Sequence, residues 1–166
     1  KLAGESYCRV VGEMHGLDYT VYRYFHVIGP RQDDSDTGGV VPIFIRRCLE
    51  GQPLTIYGTG QQIRSFTSVA DVVEANILAA QLGATSNGTY NCASAIQVSI
   101  QELADFVRTE MSHSAGIEYR EWKPGDIINF DVDNSAIRDL GMSFNLDWQK
   151  VVADVIDSMT SQRSTE

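Results

Sequence analysis

Apolar positions along the chain follow two periods, and the switches between them predict its elements. Ala3, Tyr7, Val10, Val11 and Met14 recur at three- and four-residue spacing, and Gly16 stands where a left-handed helix terminator belongs. The chain is predicted to open with a helix. Residues 19–28, YTVYRYFHVI, are rich in β-branched and aromatic side chains and stop at Gly29-Pro30, the pattern of one buried strand. After a polar loop over 32–39, Pro42 marks the first turn of a helix that Gly51 closes. Residues 54–57 have strand composition, Gly58-Thr59-Gly60 is a turn, and residues 64–69 alternate again, so the two runs read as a hairpin-like pair.

Asp71 is then placed as the cap of a helix carrying Val72, Val73, Ala75, Ile77, Leu78 and Leu82, which Gly83 ends. A short strand is predicted over 89–92. Ser99 and Glu102 form a capping box, in which the serine oxygen and the glutamate carboxylate each take a free backbone N–H, for a helix to about Met111. Residues 117–122 read as a strand that ends at Lys123-Pro124-Gly125-Asp126. Trp148, Val152, Val155, Ile156 and Met159 share one face of a last helix capped by Asp147, followed by a flexible polar tail over 161–166. Alternating short strands and helices predict an α/β architecture.

Composition adds limits. The 166 residues suit one domain with its own core, and 43% hydrophobic with 21% charged residues is globular composition. A formal net charge of −9 leaves no basic face for nucleic acid, so anion binding falls to individual cations. No run of about 18 apolar residues is present to span a bilayer, and the chain is expected to be cytoplasmic. Cys8, Cys48 and Cys92 are widely spaced within apolar runs, so they are expected to be reduced, buried thiols with no disulfide and no metal site. His15 and His113, near helix ends, are expected to have no catalytic part.

The residues best suited to chemistry surround the glycine turn. Arg64 follows it on a strand, always charged, with a planar fork of donors that matches phosphate oxygens. As a bare strand residue it would pair with a nearby carboxylate. Residues 22–31 (YRYFHVIGPR), Val41-Pro42 with Ile43-Phe44-Ile45, residues 54–71 with Arg64-Ser65-Phe66, and Lys123-Pro124-Gly125-Asp126 occur in the order of the motifs of nucleotide-sugar epimerases and dehydratases. Together they resemble the extended short-chain dehydrogenase/reductase family.

That resemblance implies a fold and a set of roles. The chain is expected to be the C-terminal part of a Rossmann-type enzyme, with residues 1–160 mixing the end of the dinucleotide-binding domain with the sugar-nucleotide subdomain. KLAGE resembles the end of the family's Tyr-x-x-x-Lys active-site helix, with Lys1 as the lysine that binds the nicotinamide ribose and lowers the tyrosine's pKa. The tyrosine and the glycine-rich NAD loop would then lie on a missing N-terminal half, and this chain alone is expected to be inactive. Tyr24 is implied at the cofactor. His26, Val40, Thr55, Tyr57, Arg64, Lys123 and Asp126 are implied at a UDP-sugar, with Arg64 on the diphosphate and Lys123 beside it, more loosely than the family's arginine.

Several of these positions keep two readings. Tyr57 either lies against uracil or packs in the core, and Asp126 either meets the nucleotide ribose or caps a turn. His26, where the family has asparagine, is either a satisfied histidine or a phosphate contact. Ala93 and Ala95 replace the family's glycines, so the turn there is expected to be reshaped. The implied activity is that of a UDP-hexose 4-epimerase acting by transient C4 oxidation with NAD, in a full-length homodimer. UDP-glucuronate decarboxylase, a 4,6-dehydratase, and a non-catalytic nucleotide-sugar module or drifted scaffold are the rivals.

Overall fold

The computed structural model describes residues 1–81, 83–129 and 131–163. Helix α1 (Leu2–His15) ends at Gly16, whose φ of 63° is the left-handed terminator that the sequence predicts. It rests on the body through Gly12, against which Tyr19 lies so closely that a side chain there would strike the ring, and through an Arg23–Glu5 ion pair at 2.6 Å. Its apolar stripe is otherwise bare. Leu2, Tyr7, Val10, Val11 and Met14 are all exposed.

The single strand predicted over 19–28 is two. Strand β1 (Thr20–Tyr24) runs parallel to β6 (Gly88–Cys92), whereas β2 (Val27–Ile28) runs parallel to β5 (Thr67–Ser68). His26 makes the break: its φ of 38° turns the backbone between the two partners, while its carbonyl accepts the Thr67 N–H at 3.2 Å. Helix α2 (Val40–Leu49) follows, with Pro42 in its first turn as predicted.

Strand β3 (Leu54–Tyr57) does not form a hairpin with the run after the turn. It pairs in parallel with β8 (Ile117–Arg120), while β4 (Ile63–Arg64) pairs antiparallel with β7 (Val98–Ser99) and β5 (Thr67–Ser68) goes to β2. Gly58 and Gly60, at φ 78° and 80°, turn the chain out of β3. The Trp122 ring packs where a Gly58 side chain would be, so the turn and the end of β8 fit only with glycine there.

Helix α3 (Val69–Gln81) begins two residues before the predicted cap. The Ser68 hydroxyl receives the Ala70 N–H, and the Asp71 carboxylate instead receives the Asn145 N–H at 3.0 Å. Burial raises the Asp71 pKa, opposed by that hydrogen bond. Leu82 and residues 164–166 lie outside the described residues. A 3-10 turn (Gly83–Thr85) leads to β6 (Gly88–Cys92). Helix α4 (Ile100–Glu110) carries both bonds of the predicted capping box, and the Ser99 hydroxyl and then its N–H, both donating to the Glu102 carboxylate, hold that group below its ordinary pKa. A short helix α5 (Ser135–Arg138) precedes α6 (Trp148–Arg163), whose Lys150 N–H is received by Asp147 at 3.0 Å.

Two apolar clusters interleave along the sequence. The larger packs α2, α4 and α6 around β3 through Val41, Phe44, Leu54, Leu103, Val107, Val152 and Val155. The smaller holds Ala75, Cys92, Ile137 and Met142 against Tyr22 and Tyr90. All three cysteines are free, but only Cys92 is fully buried and Cys8 is exposed, because α1 buries so little of its surface. Burial pushes the Cys92 thiol to about 11, with Asp71 adding to the effect.

The turn after β6 keeps a glycine-like shape despite its alanines. Ser94 pins it, its hydroxyl donating to the Phe66 carbonyl at 2.7 Å and its N–H donating to Thr67 Oγ1 at 3.1 Å, while Asn134 donates to the Ala93 carbonyl. Ala95 is thereby held at φ 61°. An L-residue in that region is strained by roughly 1–2 kcal/mol. Ala95→Gly is expected to stabilise the chain by about 0.5–1 kcal/mol after the extra unfolded-state freedom of glycine is deducted, read as a higher urea midpoint; an unchanged or lower midpoint would contradict the strain.

Candidate functional site

A cavity of about 550 Å³ lies between the start of α2, the end of β3 and residues 123–126. Val40, Ile43, Phe44 and Ile56 make its apolar floor, and His26, Thr55, Tyr57, Arg64, Lys123 and Asp126 also line it. All seven residues predicted for the sugar nucleotide therefore meet in one place. Lys1 and Tyr24 do not line it. Lys1 is exposed at the start of α1, and the Tyr24 hydroxyl is bonded to Asn76 at 3.1 Å. A larger hollow of about 710 Å³, bounded by Ser94, Asn134, Arg138 and Phe144, contains none of the predicted residues.

Arg64 organises the polar side of the cavity. Its Nη2 donates to Asp126 Oδ1, and its Nη1 donates to the carbonyls of Ile63 at 2.8 Å and Ile127 at 2.7 Å. The carboxylate pairing expected of a bare strand arginine is thus present, at a residue that also lines the cavity. Of the five N–H donors of a guanidinium, these contacts engage three. An open Nη1/Nη2 fork for phosphate is not what β4 presents. Two donors and the positive charge remain for an anion.

The same contacts fasten residues 126–128 to β4. The Ile63 N–H donates to the Ile128 carbonyl at 2.9 Å, and Asp126 Oδ1 also receives the Ile127 N–H at 3.0 Å. With side-chain exposures of 11% for Arg64 and 30% for Asp126, the pair is shielded enough for its loss to leave a poorly solvated charge. Asp126 also stabilises its turn directly, so the two sequence readings of this residue are not exclusive.

Lys123 reaches back over Tyr57, its Nζ 4.0 Å from the ring centroid. Tyr57 is half-buried at the end of β3 and meets the cavity with its ring, so it is not merely a core residue. Thr55 is buried, and its hydroxyl has no hydrogen-bond partner among the described residues. His26 sets its ring edge-on to Phe66, 6.1 Å between centroids. Desolvation first, and then the Arg64 charge, hold its pKa below the ordinary histidine value, although much of the residue is open to solvent. A left-handed backbone at this point suits asparagine and histidine better than most residues.

Sequence reasoning missed Gln62 and the backbone of residues 127–128. Gln62 is buried in the cavity wall, where its Nε2 donates to the Tyr57 carbonyl at 2.8 Å and closes the glycine turn. Its place two residues before Arg64 was the available signal. Ile127 and Ile128 act through carbonyls, which side-chain patterns do not reveal.

The profile of the family described as "NAD dependent epimerase/dehydratase family" matches residues 1–93. The chain belongs to that family. It is 30% identical over 154 residues to the UDP-glucose 4-epimerase of Mycolicibacterium smegmatis, covering 92% of this chain and 47% of that protein. It is 43% identical over 103 residues to the UDP-N-acetyl-alpha-D-glucosaminuronate decarboxylase of Bacillus cytotoxicus, covering 61% of this chain and 31% of the other. Among solved structures, the UDP-glucose 4-epimerase of Thermotoga maritima with UDP-glucose superimposes with a TM-score of 0.93 at 28% identity, over 98% of this chain and 52% of that one. The chain thus spans about half the length of these epimerases.

This family membership settles the α/β Rossmann-type fold and the extended short-chain dehydrogenase/reductase resemblance. The family is described as NAD dependent. No three glycines of the sequence stand at the Gly-x-x-Gly-x-x-Gly spacing, and Lys1 and Tyr24 do not line the cavity that Arg64 and Lys123 line. Among the described residues no helix is long and apolar enough to cross a membrane, and no cluster could hold a metal ion.

Arg64→Ala is expected to release residues 123–128 as well as remove a charge. Losing contacts of about 1.5–3 kcal/mol should speed amide hydrogen exchange at Ile63 by ten-fold or more, measured by NMR. Unchanged protection there would mean that Arg64 does not hold this segment.

Proposed function

We propose that the chain is the nucleotide-sugar-binding portion of an NAD-dependent UDP-hexose 4-epimerase. The observation that carries this reading is the convergence of Arg64, Lys123, Asp126 and Tyr57 on one apolar-floored cavity. Two cations facing an aromatic ring and a carboxylate suit a nucleoside diphosphate, with charge on the phosphates, the ring on the base and Asp126 toward the ribose. Arg64 and Lys123 orient the diphosphate, with His26 among the groups left for the rest of the ligand. The Thr55 hydroxyl and the His26 ring provide polar groups along the cavity, and Val40 limits its width.

In the whole enzyme NAD would supply oxidation at C4 and return of the hydride. From this chain, Lys1 would support that step by holding a positive charge one helical turn after the reacting tyrosine, which favours tyrosine ionisation. We assign residues 1–160 to the end of the dinucleotide-binding domain mixed with the sugar-nucleotide subdomain, in keeping with the two interleaved clusters. The bare stripe of α1 is in keeping with cover by a further half of the enzyme and by a second copy, in the cytoplasm. By itself the chain would bind UDP-sugars and turn none over. A decarboxylase of the same family is the second reading, favoured by the 43% identity to the Bacillus cytotoxicus enzyme.

The experiment is to titrate the chain with UDP-glucose and then assay it after fusion to an N-terminal half bearing the tyrosine and glycine loop. Micromolar-range binding, no turnover alone, and turnover of the fusion that Lys1→Met removes without loss of nucleotide binding are expected. Turnover by the chain alone, or full activity of the Lys1→Met fusion, would refute the assignment. UDP-glucuronate consumption with release of carbon dioxide would favour the second reading.

His26 gives this site a pH dependence. Its depressed pKa keeps it neutral in the free chain above the ordinary histidine value, and a diphosphate beside it would favour the cation. A UDP-sugar, whose phosphates have no proton to gain near neutrality, should therefore bind about three- to ten-fold tighter at pH 5.5 than at pH 8. In His26→Asn the affinity should be flat across that range, as followed by calorimetry; an equal slope in both proteins would remove His26 from the phosphates.

A further inference from the structure

The aromatic wall of the cavity is already covered. The Lys123 ammonium stands 4.0 Å from the Tyr57 centroid and lines the same cavity as that ring. A separate hollow that Tyr57 also borders, with Tyr119, Arg120 and Glu121, does not include Lys123. The ammonium therefore lies on the face of Tyr57 that looks into the cavity. Among the described residues no carboxylate is paired with it, the neighbouring Asp126 being engaged by Arg64. Attraction to the ring's π-face is what holds it.

A flat heterocycle stacked on an aromatic ring occupies the space in which that ammonium sits. Base and cation cannot share the face. The lysine stem is flexible enough to swing its charge a few ångströms, and a diphosphate held by Arg64 offers it a better partner than the ring. Resting on the reading of this cavity as a nucleotide-sugar site, we infer that Lys123 makes base stacking on Tyr57 conditional on a diphosphate. The ammonium leaves the ring for the phosphate oxygens, and the pyrimidine takes the vacated face.

A nucleoside alone must displace the ammonium without giving it a partner. Lys123 is then a specificity-determining residue, selecting nucleoside diphosphates over nucleosides by more than their added charge. An arginine would not act identically, since its planar group can remain stacked while its edge binds phosphate. The lysine of this chain thus has a consequence of its own, separate from looser phosphate binding.

The test is a comparison of uridine and UDP on the intact chain, by NMR titration, for wild type, Lys123→Ala and the Lys123→Ala/Tyr57→Leu double variant. Lys123→Ala should weaken UDP by about ten-fold yet tighten uridine by about three-fold, as expected for removal of an exposed cation–π contact. The uridine gain should vanish in the double variant. In wild type, the Lys123 ε-methylene protons should be shifted upfield by the Tyr57 ring current and lose that shift on saturation with UDP. If UDP binds wild type but uridine is unchanged or weakened in Lys123→Ala, the inference falls and the site reading stands. If UDP leaves the ε-methylene shift in place, the inference likewise falls; if UDP fails to bind wild type, both fall.

Discussion

The Arg64 guanidinium, shared between the Asp126 carboxylate and the carbonyls of Ile63 and Ile127, is the contact on which the cavity depends. It joins β4 to a segment far along the chain, which the Ile63–Ile128 backbone bond and the contact of Lys123 with Tyr57 also tie down. Lys123 and Asp126 both sit on that segment. Removing Arg64 therefore changes where two other polar groups of the cavity stand, and its effect on ligand affinity would contain a positional part as well as a charge part.

The folding of residues 54–71 explains why Arg64 can do this. A hairpin would have spent the backbone of β4 on β3. Instead, Gly58 and Gly60 swing the chain away, β3 pairs with β8, and β4 pairs with β7. Residues 122–128 continue directly from the strand beside β3, so one pair of parallel strands delivers both Tyr57 and Lys123 to the same mouth. Trp122 packed over Gly58 fixes their relative height.

The sequence revealed more of the site than of the strand pairing. Helix positions were legible because periodicity, Gly16, the Ser99 capping box and Asp147 are local signals. Strand partners are not local: residues 19–28 read as one strand because their composition never changes, and the break at His26 arises from a backbone angle. The hairpin expectation failed for the same reason, since a glycine turn does not specify which strand its exit will meet. The ordered motifs did point to seven of the residues that line the cavity, but not that Arg64 and Asp126 would be partners, nor that Lys123 would rest on Tyr57. Gln62 and the carbonyls of residues 127–128 work through backbone geometry that residue types leave open.

A crystal structure of the chain with UDP-glucose tests the central claim most directly. The account predicts diphosphate oxygens within hydrogen-bond distance of the unengaged N–H groups of Arg64 and of Lys123 Nζ, with the Arg64–Asp126 pair intact and the uracil on the cavity face of Tyr57. A nucleotide seated elsewhere, such as the hollow beside Ser94 and Arg138, or one that leaves Arg64 untouched, would contradict it.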